Sequence, residues 1–218
     1  MNTLGIDSHT SLRWATSASL AGSEWRAVGL LSPSERARFD TTMSASARSR
    51  LIWGRMLSRE LVAEQVGGRE SEVTITANCA DCGSAHGRPI VTGPGDDARE
   101  LSLSISGCSG MVVVATSLHR RVGIDVEPRA GSDARLHAIR EIAGDSEDPL
   151  RHWTRVEAVL KADGRGLRVD PRRVRMDGDR AELDGVNYRL SHPVIDPRFV
   201  ISVAIGASSL REVAAVPA

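Results

Sequence analysis

The sequence predicts an α+β fold of two similar halves, each a helix packed on a small, mainly antiparallel sheet. Both halves contain one long helical pattern and several alternating strand patterns. "LSLSISGCSGMVVVATS" is similar to "YRLSHPVIDPRFVISVAIG", and "WGRMLSRELVAE" is similar to "WTRVEAVLKADG". This likeness fits either internal duplication or chance. If the halves are duplicated, they span residues 1–117 and 118–218, are related by a pseudo-twofold, and enclose the expected ligand cleft.

In the first half, residues 33–66 have a helical pattern. "SPSER" offers a capping serine, and a longer helix from about Ala45 to Val66 ends at "VGG". Residues 72–76 alternate as a strand, and the Gly-rich stretch "CADCGSAHGRPIV" leads into another short strand. "LSLSIS" and "MVVVAT" are predicted to form a hairpin that turns at "GCSG".

The second half begins with the strand "VGIDVE" and a short helix at 132–143. A stronger helix is predicted over residues 149–163, because Pro149 suits its first turn and Gly164 suits its end. The remaining strands are predicted at 173–177, 181–184, 186–190 and 199–205.

Composition narrows the classes of function. The 218 residues carry 28 basic and 28 acidic side chains, so the net charge is zero and favours neither nucleic acid nor a membrane surface as a partner. No apolar run is long enough to cross a bilayer, and the N-terminal residues lack the pattern of a signal peptide. Three cysteines suggest reduced thiols, and we expect a cytoplasmic monomer.

The stretch "VGIDVEPR" places two carboxylates side by side. Asp125 and Glu127 are two residues apart in a predicted strand and therefore share a face, while Ile124 and Val126 share the other. Two neighbouring carboxylates raise each other's pKa. A cation on the same face would offset that repulsion.

The helix at 149–163 carries Trp153, Glu157 and Lys161 along one stripe. A Glu–Lys pair at this spacing is commonly a solvated surface pair worth a few tenths of a kcal/mol, that is about 0.2–0.5. Two features favour a buried role instead. Trp153 belongs to the same stripe, and Lys161 is the one lysine among 28 basic residues, which indicates a site where a planar guanidinium would not fit.

If this helix packs across the "VGIDVE" strand, Asp125, Glu127 and Glu157 converge. An all-oxygen set of carboxylates suits Mg²⁺ or Mn²⁺ rather than zinc. Magnesium held by few carboxylates commonly completes its coordination with water and phosphate oxygens. Lys161, one turn farther along the helix, is then placed for a phosphate.

These residues resemble the signature of the surfactin-type (Sfp-type) 4′-phosphopantetheinyl transferases. "VGIDVE" is similar to the family's Gly-x-Asp-x-Glu strand, and "WTRVEAVLKADGRGL" to its Trp-x-x-Lys-Glu-x-x-x-Lys helix with Gly-x-Gly-Leu after it. "SPSERARF" and "SRLIWGR" resemble its N-terminal helical region. "HGRP" resembles its Gly-Lys-Pro loop, and "LSLSIS" its Leu-Ser-His-Ser strand. The likeness runs in order from about residue 30 to 205.

The resemblance implies transfer of the 4′-phosphopantetheine arm of coenzyme A (CoA) to a serine of an apo acyl or peptidyl carrier protein, with release of adenosine 3′,5′-bisphosphate. The carriers of this family serve polyketide, nonribosomal peptide or fatty acid biosynthesis. The implied metal ligands for Mg²⁺, or Mn²⁺, are Asp125, Glu127 and Glu157. Glu157, directly or through a metal-bound water, is the implied base for the serine proton, and Lys161 is the implied contact to the pyrophosphate.

The resemblance also assigns the CoA contacts to the first half and the metal and catalytic residues to the second. The implied cofactor-binding residues are Arg50, His86, Gly87, Arg88, Pro89, Ser104 and Lys161. "HGRP" would shape the adenine pocket, with Arg88 and Arg50 near phosphates; the alternative for each arginine is an ordinary surface charge.

Three positions depart from the family pattern. Ile105 replaces the histidine of Leu-Ser-His-Ser, Val156 replaces the lysine before Glu157, and the segment 128–152, on the carrier side, is short. Ile105 predicts either that CoA binds more weakly or that the 3′-phosphate relies on Ser104 and nearby arginines, and it predicts that 3′-dephospho-CoA is a comparatively good substrate.

Other readings remain open. Cys79, Cys82 and His86 have zinc-like spacing, but a structural zinc site commonly needs four ligands, so reduced thiols in a Gly-rich loop are favoured. No P-loop, dinucleotide fingerprint or nucleophile elbow occurs. A non-catalytic relative that binds CoA or a carrier protein, and an unrelated Mg²⁺-dependent phosphodiesterase, are the alternative functions.

Overall fold

The protein is an α+β structure built on antiparallel sheets. The computed structural model describes residues 2–16, 24–79, 82–84 and 87–209. Five α-helices occur within these ranges: α1 (Glu24–Gly29), α2 (Pro33–Thr41), α3 (Ala45–Val66), α4 (Asp133–Ala143) and α5 (Pro149–Asp163). The strands in the same ranges are β1 (Asn2–Gly5), β2 (Thr10–Thr16), β3 (Thr74–Thr76), β4 (Ile90–Thr92), β5 (Leu101–Cys108), β6 (Met111–Leu118), β7 (Arg120–Pro128), β8 (Arg175–Asp177), β9 (Arg180–Leu183), β10 (Val186–Ser191) and β11 (Phe199–Ser209).

The chain divides into two compact units, Met1–Leu118 and His119–Ala218. The boundary predicted from the sequence lies one residue earlier. The predicted division of labour between the two halves stays a prediction.

The first unit packs α3 on a four-stranded antiparallel sheet of order β1-β2-β6-β5. Helix α3 begins where the Ser44 side chain accepts the backbone N–H of Ala47, and it ends at Gly67, whose φ of 70° is the left-handed conformation that glycine adopts readily. Its buried residues, with Trp53, Met56 and Leu57 among them, form one apolar core with the sheet. The separate β3–β4 ribbon carries the Gly-rich loop.

The second unit packs α5 on a five-stranded antiparallel sheet of order β7-β11-β10-β9-β8. The Asp148 side chain caps the first turn of α5, Pro149 begins the helix, and Gly164 ends it with a φ of 95°. Val156, Val159 and the neighbouring apolar residues of α5 fill the core against the sheet. The short helix α4 packs beside α5.

The sequence pattern predicted most of these elements. The predicted limits of α3 and α5 are confirmed, and the predicted helix at 132–143 is α4. Residues 70–72 and 171–173 form 3₁₀ turns, so β3 and β8 each begin two residues later than predicted. Strands β1 and β2 and helix α1 were missed. Among the described residues, no helix combines the length and the apolar character needed to span a membrane.

Candidate active site

Strand β7 and helix α5 meet at an unusually close contact. Gly123 faces α5, and a Cβ atom built on Gly123 would lie 1.9 Å from the Ala158 carbonyl oxygen and 2.5 Å from the Ala162 backbone nitrogen. Glycine on the strand and alanines on the helix therefore let the two backbones touch. Sequence reasoning matched Gly123 to a motif but did not identify this packing role.

The contact at Gly123 places the predicted acidic residues beside the lysine. Asp125 follows Gly123 on the same strand face and is 5% exposed. Its Oδ1 atom accepts a hydrogen bond from Lys161 Nζ at 2.6 Å, and Lys161 Nζ also lies 3.7 Å from Glu157 Oε2. The structure thus brings Asp125, Glu157 and Lys161 into one cluster, as the helix stripe predicted.

Glu127 is the third carboxylate of the acidic face, and it has a partner that the sequence did not indicate. Arg135 of α4 forms an ion pair with Glu127 Oε2 and also donates a hydrogen bond to the Pro128 carbonyl oxygen at 3.2 Å. Arg135 lies eight residues away in a different element. The basic residues of α4 gave no signal that would single out one of them.

Burial and charge together set the ionisation of the cluster. Burial raises the pKa of Glu157 above 4.5; Lys161 opposes that rise, and Asp125 and Glu127 add to it. Burial also raises the pKa of Glu127, with Asp125 adding to the effect and Arg135 and Lys161 opposing it. Both carboxylates are therefore harder to ionise than isolated ones.

The donor chemistry of this cluster fits a hard divalent cation. Three carboxylates supply oxygen atoms only, and the raised pKa values of Glu127 and Glu157 show that positive charge at the cluster would stabilise their ionised forms. In the described structure, the Lys161 ammonium and the Arg135 guanidinium supply that charge. No group of three or more His, Cys, Asp or Glu side chains in the described ranges is arranged to hold a metal ion.

The aromatic residue of the predicted stripe is partly buried. Trp153 packs against a small apolar cluster of Ile139, Leu150 and Val200. Val156, which stands where the resembled family has lysine, is fully buried in the core. Its neighbour Arg155 donates to the Gly178 carbonyl oxygen, so it does not replace that lysine at the acidic cluster.

The predicted CoA-binding residues of the first unit divide between the two faces of β5. Arg88 Nη2 donates to Ser102 Oγ at 2.9 Å, and the buried Ser104 shares the strand face of Ser102. On the other face, Ile105 lies against α3, since a Cβ on Gly54 would be 3.1 Å from Ile105 Cγ2. The aliphatic stem of Arg50 packs on that same face.

Arg50 lies on the Ile105 side of β5, because a Cβ atom built on Gly107 would be 3.2 Å from Arg50 Cδ. Gly87 is held against the preceding loop: its N–H donates to the Ala77 carbonyl oxygen at 2.6 Å, and a Cβ there would clash with the Asn78 backbone at 2.2 Å. Pro89 is partly buried just before β4. His86 lies outside the described residues.

Backbone hydrogen bonds join Cys79 to Gly83 and Ser84. Gly83 N–H donates to the Cys79 carbonyl oxygen at 2.9 Å, and Cys79 N–H donates to the Ser84 carbonyl oxygen at 2.8 Å. The three cysteines form no disulfide among the described residues. The zinc alternative needs His86, which lies outside the described residues, so reduced thiols remain the prediction for this stretch.

Comparison with known proteins adds no further assignment. No protein-family model matches the chain, and no curated protein matches it.

The sole lysine supports a sharp substitution test. If the chain catalyses the transfer that the motif resemblance implies, we expect Lys161→Arg to lower the rate of that reaction at least about tenfold, equivalent to roughly 1.4 kcal/mol. The reason is geometric: a compact ammonium fits between Asp125 and Glu157, whereas the wider guanidinium displaces them. Single-turnover kinetics measure the change. A wild-type rate with unchanged CoA affinity would show that Lys161 acts only as the partner in a surface ion pair.

His192 of the second unit predicts a pH dependence of stability. Burial lowers the pKa of His192 below 6.5, Arg155 and Arg151 add to that effect, and Asp179 opposes it. The folded protein therefore binds fewer protons than the unfolded chain just below pH 6.5, so stability falls as the pH drops through this window. Urea titrations should show that His192→Asn removes a slope of at most about 1.4 kcal/mol per pH unit. Equal slopes in both proteins would contradict the prediction.

Proposed function

We propose that this protein transfers the 4′-phosphopantetheine arm of CoA to a serine hydroxyl of an apo acyl or peptidyl carrier protein. One observation carries the proposal: Asp125, Glu157 and the sole lysine of the chain meet on the face that the motif resemblance assigns to catalysis, with Lys161 Nζ 2.6 Å from Asp125 Oδ1. The same resemblance implies pseudo-twofold halves with the active site in the cleft between them, and both remain part of the proposal.

The reaction breaks one phosphorus–oxygen bond and forms another. The serine oxygen attacks the phosphorus that bears the pantetheine, the bond from that phosphorus to the bridging oxygen breaks, and adenosine 3′,5′-bisphosphate leaves. Glu157 accepts the serine proton, since it lies beside Lys161 at the acidic cluster where the pyrophosphate would bind. Lys161 donates to the pyrophosphate oxygens as negative charge develops there.

Asp125, Glu127 and Glu157 would hold Mg²⁺ or Mn²⁺ in this proposal. When bound, the metal neutralises charge on the pyrophosphate and orients it. The ion pair between Arg135 and Glu127 holds the outermost carboxylate at the end of β7. Arg135 is therefore a positioning residue for Glu127.

The 3′-phosphate of CoA gives a second test in the first unit. We expect Arg88→Leu to raise the KM for CoA about tenfold, because a guanidinium–phosphate contact is charge-assisted and worth roughly 1.5–3 kcal/mol. The KM for 3′-dephospho-CoA should change little, because that substrate lacks the phosphate. An equal rise in both KM values for Arg88→Leu would show that Arg88 does not bind this phosphate.

The direct test incubates the protein with CoA, Mg²⁺ and a set of apo carrier proteins, and weighs the intact carriers by mass spectrometry. Transfer predicts a mass increase of one phosphopantetheine group on at least one carrier, abolished when its acceptor serine is replaced by alanine. A non-catalytic relative would bind CoA or a carrier without changing either mass. A phosphodiesterase would cleave CoA with no carrier present.

A further inference from the structure

A chain of hydrogen bonds crosses the second unit beside the acidic cluster. Thr154 Oγ1 of α5 and Ser202 Oγ of β11 are 2.9 Å apart, and Ser202 Oγ lies 3.2 Å from His192 Nδ1. The other imidazole nitrogen, His192 Nε2, lies 3.5 Å from Asp179 Oδ1 in the turn between β8 and β9. Thr154 and Ser202 are fully buried.

The arrangement of Ser202, His192 and Asp179 has the residue types of a nucleophilic triad, but it is not one. Ser202 has no exposed surface, and its oxygen contacts both Thr154 and His192. A substrate has no route to this oxygen. The cluster must therefore act through structure rather than as a nucleophile.

The direction of the hydrogen bonds follows from counting hydrogens. Each hydroxyl has one hydrogen to donate, and Thr154 Oγ1 donates its hydrogen to the Arg151 carbonyl oxygen at 2.9 Å. With that bond formed, Ser202 donates to Thr154. Ser202 has no hydrogen left for His192, so the His192 Nδ1–H group donates to Ser202. Neutral His192 is thereby fixed in the Nδ1–H tautomer.

The charges around His192 agree with a neutral imidazole. Burial together with Arg155 and Arg151 of α5 lowers the pKa of His192, while Asp179 and a backbone hydrogen bond with Ile201 act in the opposite direction. The Nε2 atom is buried and makes no hydrogen bond to the described part of the chain.

The series of hydrogen bonds from His192 to Thr154 ends beside the residues that form the acidic cluster. Ser202 is directly opposite Asp125 in the pairing of β7 with β11, so their side chains project from one face of the sheet. Thr154 lies three residues before Glu157 and therefore on the same side of α5. The Thr154–Ser202 bond thus joins helix and sheet next to Asp125 and Glu157.

We propose that His192 is a positioning residue that, through Ser202 and Thr154, fixes the register of α5 against the sheet and so sets Glu157 and Lys161 relative to Asp125. The chemical part of this inference rests on the proposed transfer function; the hydrogen-bond direction does not. An error of about 1 Å in such a constellation can cost as much as about a hundredfold in rate.

Nitrogen-15 NMR of the histidine side chains tests the direction of the chain. The protein has six histidines, and the signal lost in His192→Gln identifies residue 192. We expect wild-type His192 to be the Nδ1–H tautomer at neutral pH. Thr154→Val keeps the side-chain shape but removes the acceptor, so Ser202 turns its hydrogen to Nδ1 and the tautomer becomes Nε2–H.

The NMR experiment includes one further test variant and one control variant. Ser202→Ala removes the acceptor for Nδ1–H and should also give the Nε2–H tautomer. Thr116→Val is the matched control, because Thr116 is equally buried but lies in the first unit; it should leave the His192 signals unchanged. An Nε2–H tautomer in the wild-type protein, or no change in both Thr154→Val and Ser202→Ala, would overturn the inference.

A pair of His192 variants tests the positioning role in catalysis. Asparagine places an amide N–H near the position of Nδ1, whereas glutamine places it near Nε2. We expect His192→Asn to keep kcat within about twofold of wild type and His192→Gln to lower kcat about tenfold at little change in KM. Equal rates in the two variants would refute the positioning role. Absence of transfer in the wild type would refute the proposed function and leave the tautomer result standing.

Discussion

Gly123→Ala should destabilise the folded protein by about 3 kcal/mol or more, at the upper end of what overpacking costs. The added Cβ would lie 1.9 Å from the Ala158 carbonyl oxygen and 2.5 Å from the Ala162 nitrogen. Both atoms belong to the backbone of α5, so no flexible side chain can move aside. Helix and strand must separate, which also moves the acidic cluster.

Urea unfolding followed by circular dichroism measures this loss. Gly206→Ala is the matched control, because Gly206 is buried in the neighbouring strand β11 but a Cβ there would meet its nearest atom, Arg121 Cβ, at 3.4 Å. That distance is ordinary contact, so we expect a change below about 1 kcal/mol, the cost of minor repacking. Similar losses in both variants would contradict the close packing of β7 on α5.

Asp125→Asn should abolish metal-dependent transfer, with a fall in kcat of about 10²–10³-fold or more, as removal of one electrostatic group from a catalytic site commonly gives. The substitution keeps the side-chain volume but removes the charge that pairs with Lys161 at 2.6 Å and that we propose binds Mg²⁺. EDTA should have the same effect on the wild-type protein. Quenched transfer assays at defined Mg²⁺ concentrations measure the effect of the substitution and the effect of EDTA.

The fold should survive this substitution, because it also relieves repulsion among Asp125, Glu127 and Glu157. Circular dichroism of Asp125→Asn checks the fold. Asp177→Asn, an exposed acid on β8, is the matched control and should transfer at the wild-type rate. Full activity of Asp125→Asn without metal would refute the metal assignment.

Local patterns explain what the sequence could predict. The ends of α3 and α5 depend on caps that are adjacent in sequence, such as Ser44 and Gly164, and these residues can be recognised directly. The shared face of Asp125 and Glu127 follows from the two-residue period of a strand, and the stripe of Glu157 and Lys161 from the helical period. Each of these patterns can be recognised from a few neighbouring residues, without knowledge of the packing.

Long-range contacts explain what the sequence could not predict. Gly123 is visible in the sequence, but its clash partners on α5 lie 35 to 39 residues away and become apparent only when helix and strand are packed. The pairing of Arg135 with Glu127 needs the position of α4. The Thr154–Ser202 bond joins residues 48 apart, and no local pattern marks either residue as a partner.

The alternating pattern of β5 predicts which of its residues share a face, and the motif resemblance did not take that pattern into account. Ser104 and Ile105 are adjacent in "LSLSIS" and must face opposite sides of the sheet. The family likeness grouped Ser104, Arg50 and Arg88 as phosphate contacts, whereas the structure puts Arg88 beside Ser102 and Arg50 on the side of Ile105. Arg88 and Ser104 lie on the face of β5 opposite Ile105, so a phosphate bound on that face would contact Arg88.

The most direct test of the central claim is the stoichiometry of transfer in one sample. The protein is incubated with CoA, Mg²⁺ and a modifiable apo carrier, and the adenosine 3′,5′-bisphosphate released is compared with the carrier that has gained one phosphopantetheine group. We predict a ratio of one to one, with no nucleotide released when the carrier is omitted. Nucleotide release that exceeds carrier modification, or that continues without a carrier, would contradict transfer by this protein.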